Sequence, residues 1–168
     1  MKDTEKLVSY IPVLRRYARA LTRDSSAADD LLQDTLERAW RRFYLWRTGS
    51  NLRAWLFTIM HNLHRNQVQA QPRKWMRSSE NEAPVVPVTS TQEGRLELRD
   101  LYNALGRLSA EQREVVLLIG LEQMSYGETA KILGVPIGTV MSRLSRGREQ
   151  LRILMNRGNA AAQLKIVK

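Results

Sequence analysis

Residues 78–93 (SSENEAPVVPVTSTQE) contain no Lys or Arg, carry two prolines and show no 3.6-residue period. Such a stretch reads as a flexible linker, and it divides the chain into two pieces that must each find a core of their own. Each piece has roughly 60 to 75 residues, a size that buries only about 60% of its unfolded surface and leans on partners for stability. The expected boundaries are a first domain over 1–77, the linker over 78–93, a second domain over 94–155, and a frayed basic tail with a short helix at most over 156–168.

Inside both pieces the apolar residues recur at helical spacing, and no run alternates as a strand would. The expected fold is all-α: two small helical domains. In the first, helices are expected over 5–22, over SSAADDLLQDTLERAWRRF with Ser25 or Ser26 as its cap, and over NLRAWLFTIMHNLHRNQ with Asn51 as its cap. In the second, helices are expected at about 94–106, 110–121, 125–133 and 137–155.

Charge bears on what such helices meet. Lys and Arg total 27 against 17 Asp and Glu, a net charge of +10, which favours a polyanion such as nucleic acid over the weaker rival of an acidic membrane surface. The charge is uneven: residues 1–75 carry 14 basic and 7 acidic side chains, residues 76–136 carry 6 and 9, and residues 137–168 carry 7 and 1. Two basic blocks flank an acidic middle. Zero cysteines exclude disulfides, thiolate metal sites and cysteine nucleophiles, and two histidines leave little for metal or triad chemistry. No catalytic residue, cofactor or metal site is expected. No apolar run is long enough to span a bilayer and the N-terminus lacks signal-peptide features, so a cytoplasmic protein is expected.

On the second helix, Leu32, Leu36, Ala39 and Phe43 fall on one stripe, expected to face the core. The opposite face carries Asp30, Asp34, Glu37 and Arg41, with Asp30 and Asp34 stacked as like charges that a basic partner would relieve. Composition alone favours the other reading, a solvated face with Asp34–Arg38 and Glu37–Arg41 pairs. On the third helix, Leu52, Leu56, Ile59 and Leu63 form the expected core stripe, with Phe57, His61 and Arg65 on the far side and Asn62 on its flank. Aromatics interleaved with arginines between Trp40 and Phe57 suit a single-strand binding surface, and equally a small core with one exposed ring. His61 and His64 lack a third ligand and are expected at the surface or facing DNA.

The sharpest pattern is SYGETAKILGVPIGTVMSRLSRGREQLR, residues 125–152, which reads as a helix-turn-helix rather than a mere helical hairpin. Ser125 caps, Gly134 turns the chain, and Pro136 opens the next helix. With Val140, Leu144, Gly147 and Leu151 buried, that helix points Gly138, Ser142, Ser145, Arg146 and Glu149 outward, with Met141, Arg143 and Arg148 at the borders. Short side chains allow deep entry into a groove, and flanking arginines meet phosphates.

Taken in order, DDLLQDTLERAW, LRAWLFTIMHNLHRN, the linker, and LSAEQREVVLLIGLEQMSYGETAKILGVPIGTVMSRLSRGREQLR resemble bacterial RNA polymerase sigma factors of the extracytoplasmic-function group, over about residues 8–155. The resemblance implies a sigma2-like bundle and a sigma4-like helix-turn-helix domain in an alternative sigma factor. It places contact with the clamp of the largest core polymerase subunit on Asp30, Gln33, Asp34, Glu37, Arg38 and Arg41, and a second contact on the flap of the second-largest subunit. It places minus-ten promoter recognition on Arg47, Ser50, Asn51, Trp55, Asn62, Arg65 and Asn66. Melting then needs no catalytic group: unstacking costs a few kcal/mol and is offset by contacts made only to single strands. It places minus-35 duplex readout on Gly138, Thr139, Met141, Ser142, Arg143, Ser145, Arg146 and Arg148; many relatives have a basic residue where Met141 stands, which bears on promoter sequence.

The resemblance further implies control by an anti-sigma factor, which in some relatives would hold the protein at the inner membrane, with no direct membrane insertion and no obligate homo-oligomer. A sixteen-residue linker reaches roughly 53 Å extended but about 22 Å as a coil, whereas elements about 17 base pairs apart are roughly 58 Å apart. The linker must be largely stretched on promoter DNA, while a free chain has the option of a compact form. The competing readings are a stand-alone helix-turn-helix repressor or activator, which would need only the second domain, and a nonspecific basic RNA-binding protein, for which the acidic face would be superfluous.

Overall fold

The structure is a computed structural model that describes the backbone of residues 2–47, 49–70 and 92–166, and the side chains of residues 5–47, 49–70 and 92–158. Most of the expected linker, residues 78–91, lies outside the described residues. Among those described every regular element is helical: α1 (Lys2–Ser9), α2 (Ile11–Thr22), α3 (Ser25–Arg41), a 3₁₀ turn (Phe43–Leu45), α4 (Leu52–Ala70), α5 (Gln92–Arg107), α6 (Ala110–Val116), a π turn (Leu117–Leu121), α7 (Tyr126–Leu133) and α8 (Ile137–Ile166). None of these helices is long and apolar enough to cross a membrane.

The first domain is α1–α4, with α3 packed on α2 and α4 packed on α3. The single helix expected over 5–22 is two, broken at Tyr10, because Pro12 suits the first turn of a new helix and cannot donate inside a continuing one. Helix α2 ends at Arg23, whose φ of 57° is left-handed and whose N–H donates to the Arg19 carbonyl at 2.9 Å. The cap of α3 is Asp24, not Ser25 or Ser26: its carboxylate accepts from the Ala27 N–H at 2.8 Å. The buried set of α3 is Ala28, Leu31, Leu32, Thr35 and Ala39, so the core stripe sits about one residue back from the expected one, and Leu36 and Phe43 are only half-buried.

The second domain packs α6, α5 and α7 against α8. Arg113 on α6 closes the end of α5 by donating to the carbonyls of Leu105, Gly106 and Leu108 at 2.9, 3.1 and 3.2 Å, groups a helix C-terminus otherwise leaves unpaired. The helix expected over 110–121 is α-helical only to Val116 and then widens into the π turn, which delivers Glu122 to a fully buried position. Ser125 and Glu128 form a reciprocal capping box at the start of α7, and Gly134, at a φ of 65°, turns the chain into α8 as its lack of a Cβ allows. Helix α8 does not stop near residue 155: it runs on to Ile166, so the expected frayed tail is mostly helix.

The two domains do not stand apart. Helix α4 lies against α7, α2 lies against the π turn, and the buried apolar residues form one cluster running from Leu7 to Leu144. Gly106 on α5 permits part of this closeness, since a Cβ there would enter the guanidinium of Arg23, which stacks on the Tyr102 ring with its carbon 5.0 Å from the centroid.

Candidate functional site

Three polar faces emerge, each on a helix that uses its opposite side for packing. On α3 the face of Asp30, Gln33, Asp34, Glu37 and Arg41 is exposed and Arg38 is half-buried, because the small and apolar residues between them turn inward. Glu37 pairs with Arg41 at 2.6 Å, while Asp34 accepts from Gln67 of α4 at 3.1 Å instead of meeting Arg38. Asp34, Glu37, Arg38 and Arg41, with Arg42 and Leu63, line a shallow depression of about 310 Å³.

The second face spans the loop before α4 and one side of that helix. Arg47, Ser50, Asn51, Asn62, Arg65 and Asn66 are exposed, and Trp55 is half-buried, edge-on to Phe43 at 6.3 Å. The Ser50 hydroxyl donates to the Arg47 carbonyl at 2.7 Å and closes the loop, and the Asn51 amide oxygen accepts from the Ala54 N–H at 3.1 Å as the expected cap. Phe57 and His61 are not on the far side. Both are buried, as are Met60 and His64, while Ile59 and Leu63 are half-buried. The exposed rings of this region are Trp40 and Tyr44, which are 58% and 81% accessible.

The third face is on α8. Gly138, Met141, Ser142, Ser145, Arg146, Arg148 and Glu149 are exposed, Thr139 and Arg143 are half-buried, and Val140, Leu144 and Gly147 form the buried stripe. Arg143 leans on Glu111 at 3.2 Å, and Ser142 donates to the Thr139 carbonyl at 3.1 Å. The outward side is therefore short-chained at its centre and basic at its edges, the shape of a helix that enters a groove between phosphates.

The histidines occupy none of these faces. They lie on the side of α4 that meets the second domain, with the Nδ1 atoms of His61 and His64 at 3.4 and 3.8 Å from one Glu114 oxygen. Burial pushes the Glu114 carboxyl up, but hydrogen bonding and charge from the two imidazoles more than reverse this and hold it at about 2. Among the described residues no group of three or more His, Asp or Glu is placed to hold a metal ion.

Beside this cluster, Glu122 has no exposed side-chain surface and receives two arginines from the first domain. Arg16 donates from Nε and Nη2 at 2.9 to 3.1 Å, and Arg53 donates from Nη2 to the carboxylate at 2.8 Å and to the Glu122 carbonyl at 2.6 Å. Burial, then Glu114, then Glu122 push the Tyr17 phenol well above its ordinary range, so both carboxylates converge on the first domain's core. Residue periodicity does not mark Arg16, Arg53, Glu114 or Glu122. The signal that could have found them is the acidic excess of residues 76–136 opposite a basic first block.

Between α2 on one side and α5, the π turn and α8 on the other runs an apolar groove of about 640 Å³, with Arg15, Arg16 and Arg19 along one wall and Leu101, Leu105 and Leu121 among the residues of the other.

Residues 7–61 match the family model described as the sigma2 domain of PhyR, and residues 98–151 match sigma-70, region 4. The chain is 35% identical over 151 residues to the ECF RNA polymerase sigma factor EcfG of Rhodopseudomonas palustris, covering 90% of this chain and 83% of the relative. It is 32% identical over 152 residues to the ECF RNA polymerase sigma factor SigM of Mycobacterium tuberculosis, covering 90% and 76%. Among solved structures it superimposes on the sigma factor RpoE of Bartonella quintana, crystallised with the anti-sigma factor NepR, with a TM-score of 0.77 and 40% identity over 93% of this chain and 98% of that one. It also matches CnrH, solved in complex with the cytosolic domain of CnrY, with a TM-score of 0.69 and 27% identity over 92% and 87%.

Proposed function

The chain belongs to the extracytoplasmic-function group of bacterial RNA polymerase sigma factors, and from that premise we propose how its three exposed faces divide the work of transcription initiation. Asp30, Gln33, Asp34, Glu37, Arg38 and Arg41 dock on the clamp of the largest core polymerase subunit, and the second domain (94–155) meets the flap of the second-largest. Arg47, Ser50, Asn51, Trp55, Asn62, Arg65 and Asn66 capture the opened minus-ten strand: Trp55 stacks with an unpaired base, the amides address base edges, and the arginines hold phosphates. Gly138, Thr139, Met141, Ser142, Ser145 and Arg146 read the minus-35 duplex in the major groove, with Arg143 and Arg148 mainly on the backbone. The linker (78–93) spans the distance between the two elements.

The observation that supports this division most directly is that the three faces are separate, on α3, on α4 with the loop before it, and on α8, each turned to solvent on a helix whose other residues are committed to packing. Regulation by an anti-sigma factor fits the same body. The groove beside α2, apolar on its floor and lined by Arg15, Arg16 and Arg19, suits an amphipathic helix with an acidic edge.

Charge reversal at the docking face tests the assignment. Asp34→Arg combined with Glu37→Arg, with helicity checked by circular dichroism, is expected to abolish co-sedimentation with core polymerase while binding of a minus-35 duplex persists. Core binding equal to wild type would mean that the α3 face does not dock.

A further inference from the structure

The residues assigned to polymerase and promoter contact share one property: in the closed arrangement of the two domains almost none of them is covered by the other domain. Among the described residues, Asn51 is the one member of the minus-ten set with a hydrogen bond or ion pair to the second domain, its amide donating to Glu128 at 2.6 Å, and the pair is exposed. The docking face on α3 and the outward side of α8 remain open to solvent. What the closed form does bury is a different set of polar groups: Glu122 between Arg16 and Arg53, and Glu114 beside His61 and His64.

Helix α4 makes the division plain. At 100° per residue, Leu52, Leu56 and Met60 face α2 and α3, Arg53, Phe57, His61 and His64 turn to the second domain, and Trp55, Asn62, Arg65 and Asn66 lie on the remaining arc. The domain contact and the proposed minus-ten face are thus separate sides of one helix. In the closed chain the contacts of α4 with α7 and of α2 with the π turn tie the domain that carries one reading face to the domain that carries the other, whereas the two promoter elements are roughly 58 Å apart.

We propose that Glu122, clasped by Arg16 and Arg53, is an intramolecular lock that restrains this protein by fixing the spacing of its two reading faces and not by masking them. Only the functional consequence rests on the promoter assignment above; the clasp itself rests on the ion-pair geometry. A carboxylate with no exposed surface and two guanidiniums on it has a charge that must be either paired here or returned to water, so the contact has two discrete states. The acidic middle of the sequence is the part of the chain that supplies this carboxylate, together with Glu114 and Glu128, to the basic first block. Binding to a ligand that needs both faces is then weakened by the fraction of molecules that are open, whereas binding to a ligand that needs one face is not.

The test uses the full chain, which has no cysteine of its own. Spin labels on Ser26→Cys in α3 and Asn156→Cys in α8, both exposed positions, report the domain separation by pulsed electron resonance. The wild type is expected to give one short distance. Glu122→Gln and, separately, Arg53→Gln are expected to add a population longer by on the order of 20 Å, within the roughly 53 Å an extended linker reaches. Should Glu122→Gln lose helicity, the distances in Arg53→Gln decide between clasp and no clasp.

In parallel, affinity for a minus-ten single strand alone and for a minus-35 duplex alone is expected to stay within about twofold of wild type, while assembly with core polymerase on a two-element promoter rises in proportion to the open fraction. Unchanged distances in both folded variants would overturn the clasp. Opening accompanied by a matching gain on either half-ligand would overturn restraint by spacing in favour of masking. If neither half-ligand binds even the wild type, the promoter assignment falls, and the distances alone decide the clasp.

Discussion

Helices α4 and α8 both offer a polar face to solvent, yet they are held in different ways. The buried side of α8, Val140, Leu144 and Gly147, packs within its own domain, whereas α4 is buried on two sides, one by its own domain and one by the other. A helix with one buried side keeps its outward face wherever its domain goes. A helix with two can change what surrounds it when the domains part, so α4 is where the state of the whole chain is felt and α8 is where it is not.

The largest expected effect breaks α4 at the meeting of its two buried sides. Phe57 is buried, edge-on to Tyr17 at 4.9 Å and under the Arg53 guanidinium at 5.8 Å. Phe57→Ala is expected to cost about 3–5 kcal/mol in urea unfolding. A loss below about 1 kcal/mol would mean that α4 is not the shared wall described.

Acid sharpens the same comparison. The Glu114 carboxyl is depressed in the folded chain, so the stability it lends is fully present above its ordinary value of 4.5 and is lost as the pH falls from there towards about 2. Unfolding followed across that window should show the slope, and Glu114→Gln should flatten it; an unchanged slope would place the acid sensitivity elsewhere. No such dependence is expected from the buried side of α8, which carries no titratable group.

A smaller effect belongs to the outward side of α8. Arg146→Ala is expected to cost about 1–3 kcal/mol at promoters with the matching minus-35 base and to relax preference at that position. Uniform weakening across sequences with a shallower salt slope would reassign Arg146 to phosphate. Smallest is Ser125→Ala, which removes half of the capping box at α7 and is expected to lower stability by about 1 kcal/mol, read as a shift of the denaturation midpoint at constant slope.

The same two helices explain how far residue patterns reach. Everything that shapes α7 and α8 is local: the Ser125 cap, Gly134 at the turn, and a single apolar stripe whose period places Ser142, Ser145 and Arg146 outward before any neighbour is known. In α4 the period supports one buried side only. It therefore leaves Phe57, His61 and His64 at the surface, while a partner 50 or more residues away in sequence, Glu114, in fact covers the histidines. Helix α3 shows a milder form of this: packed between α2 and α4, it buries the small Ala28 and Thr35 beside Leu31 and Leu32, which displaces its stripe by about one position. The break at Tyr10 is legible in Pro12, and the continuation of α8 past residue 155 is legible only in part, since Gly158 between Asn156 and Asn159 reads as a helix end while the alanines at 160–162 favour a helix.

Run-off transcription with purified bacterial core polymerase, with and without this protein, on a library of promoters drawn from its own genome puts the division of labour among the three faces to the sharpest trial. Initiation is expected to depend on the protein and to be confined to templates sharing two elements about 17 base pairs apart, roughly 58 Å along the duplex. A protein that binds duplex sites by itself but neither joins core polymerase nor directs initiation would contradict that division and leave a free-standing helix-turn-helix regulator.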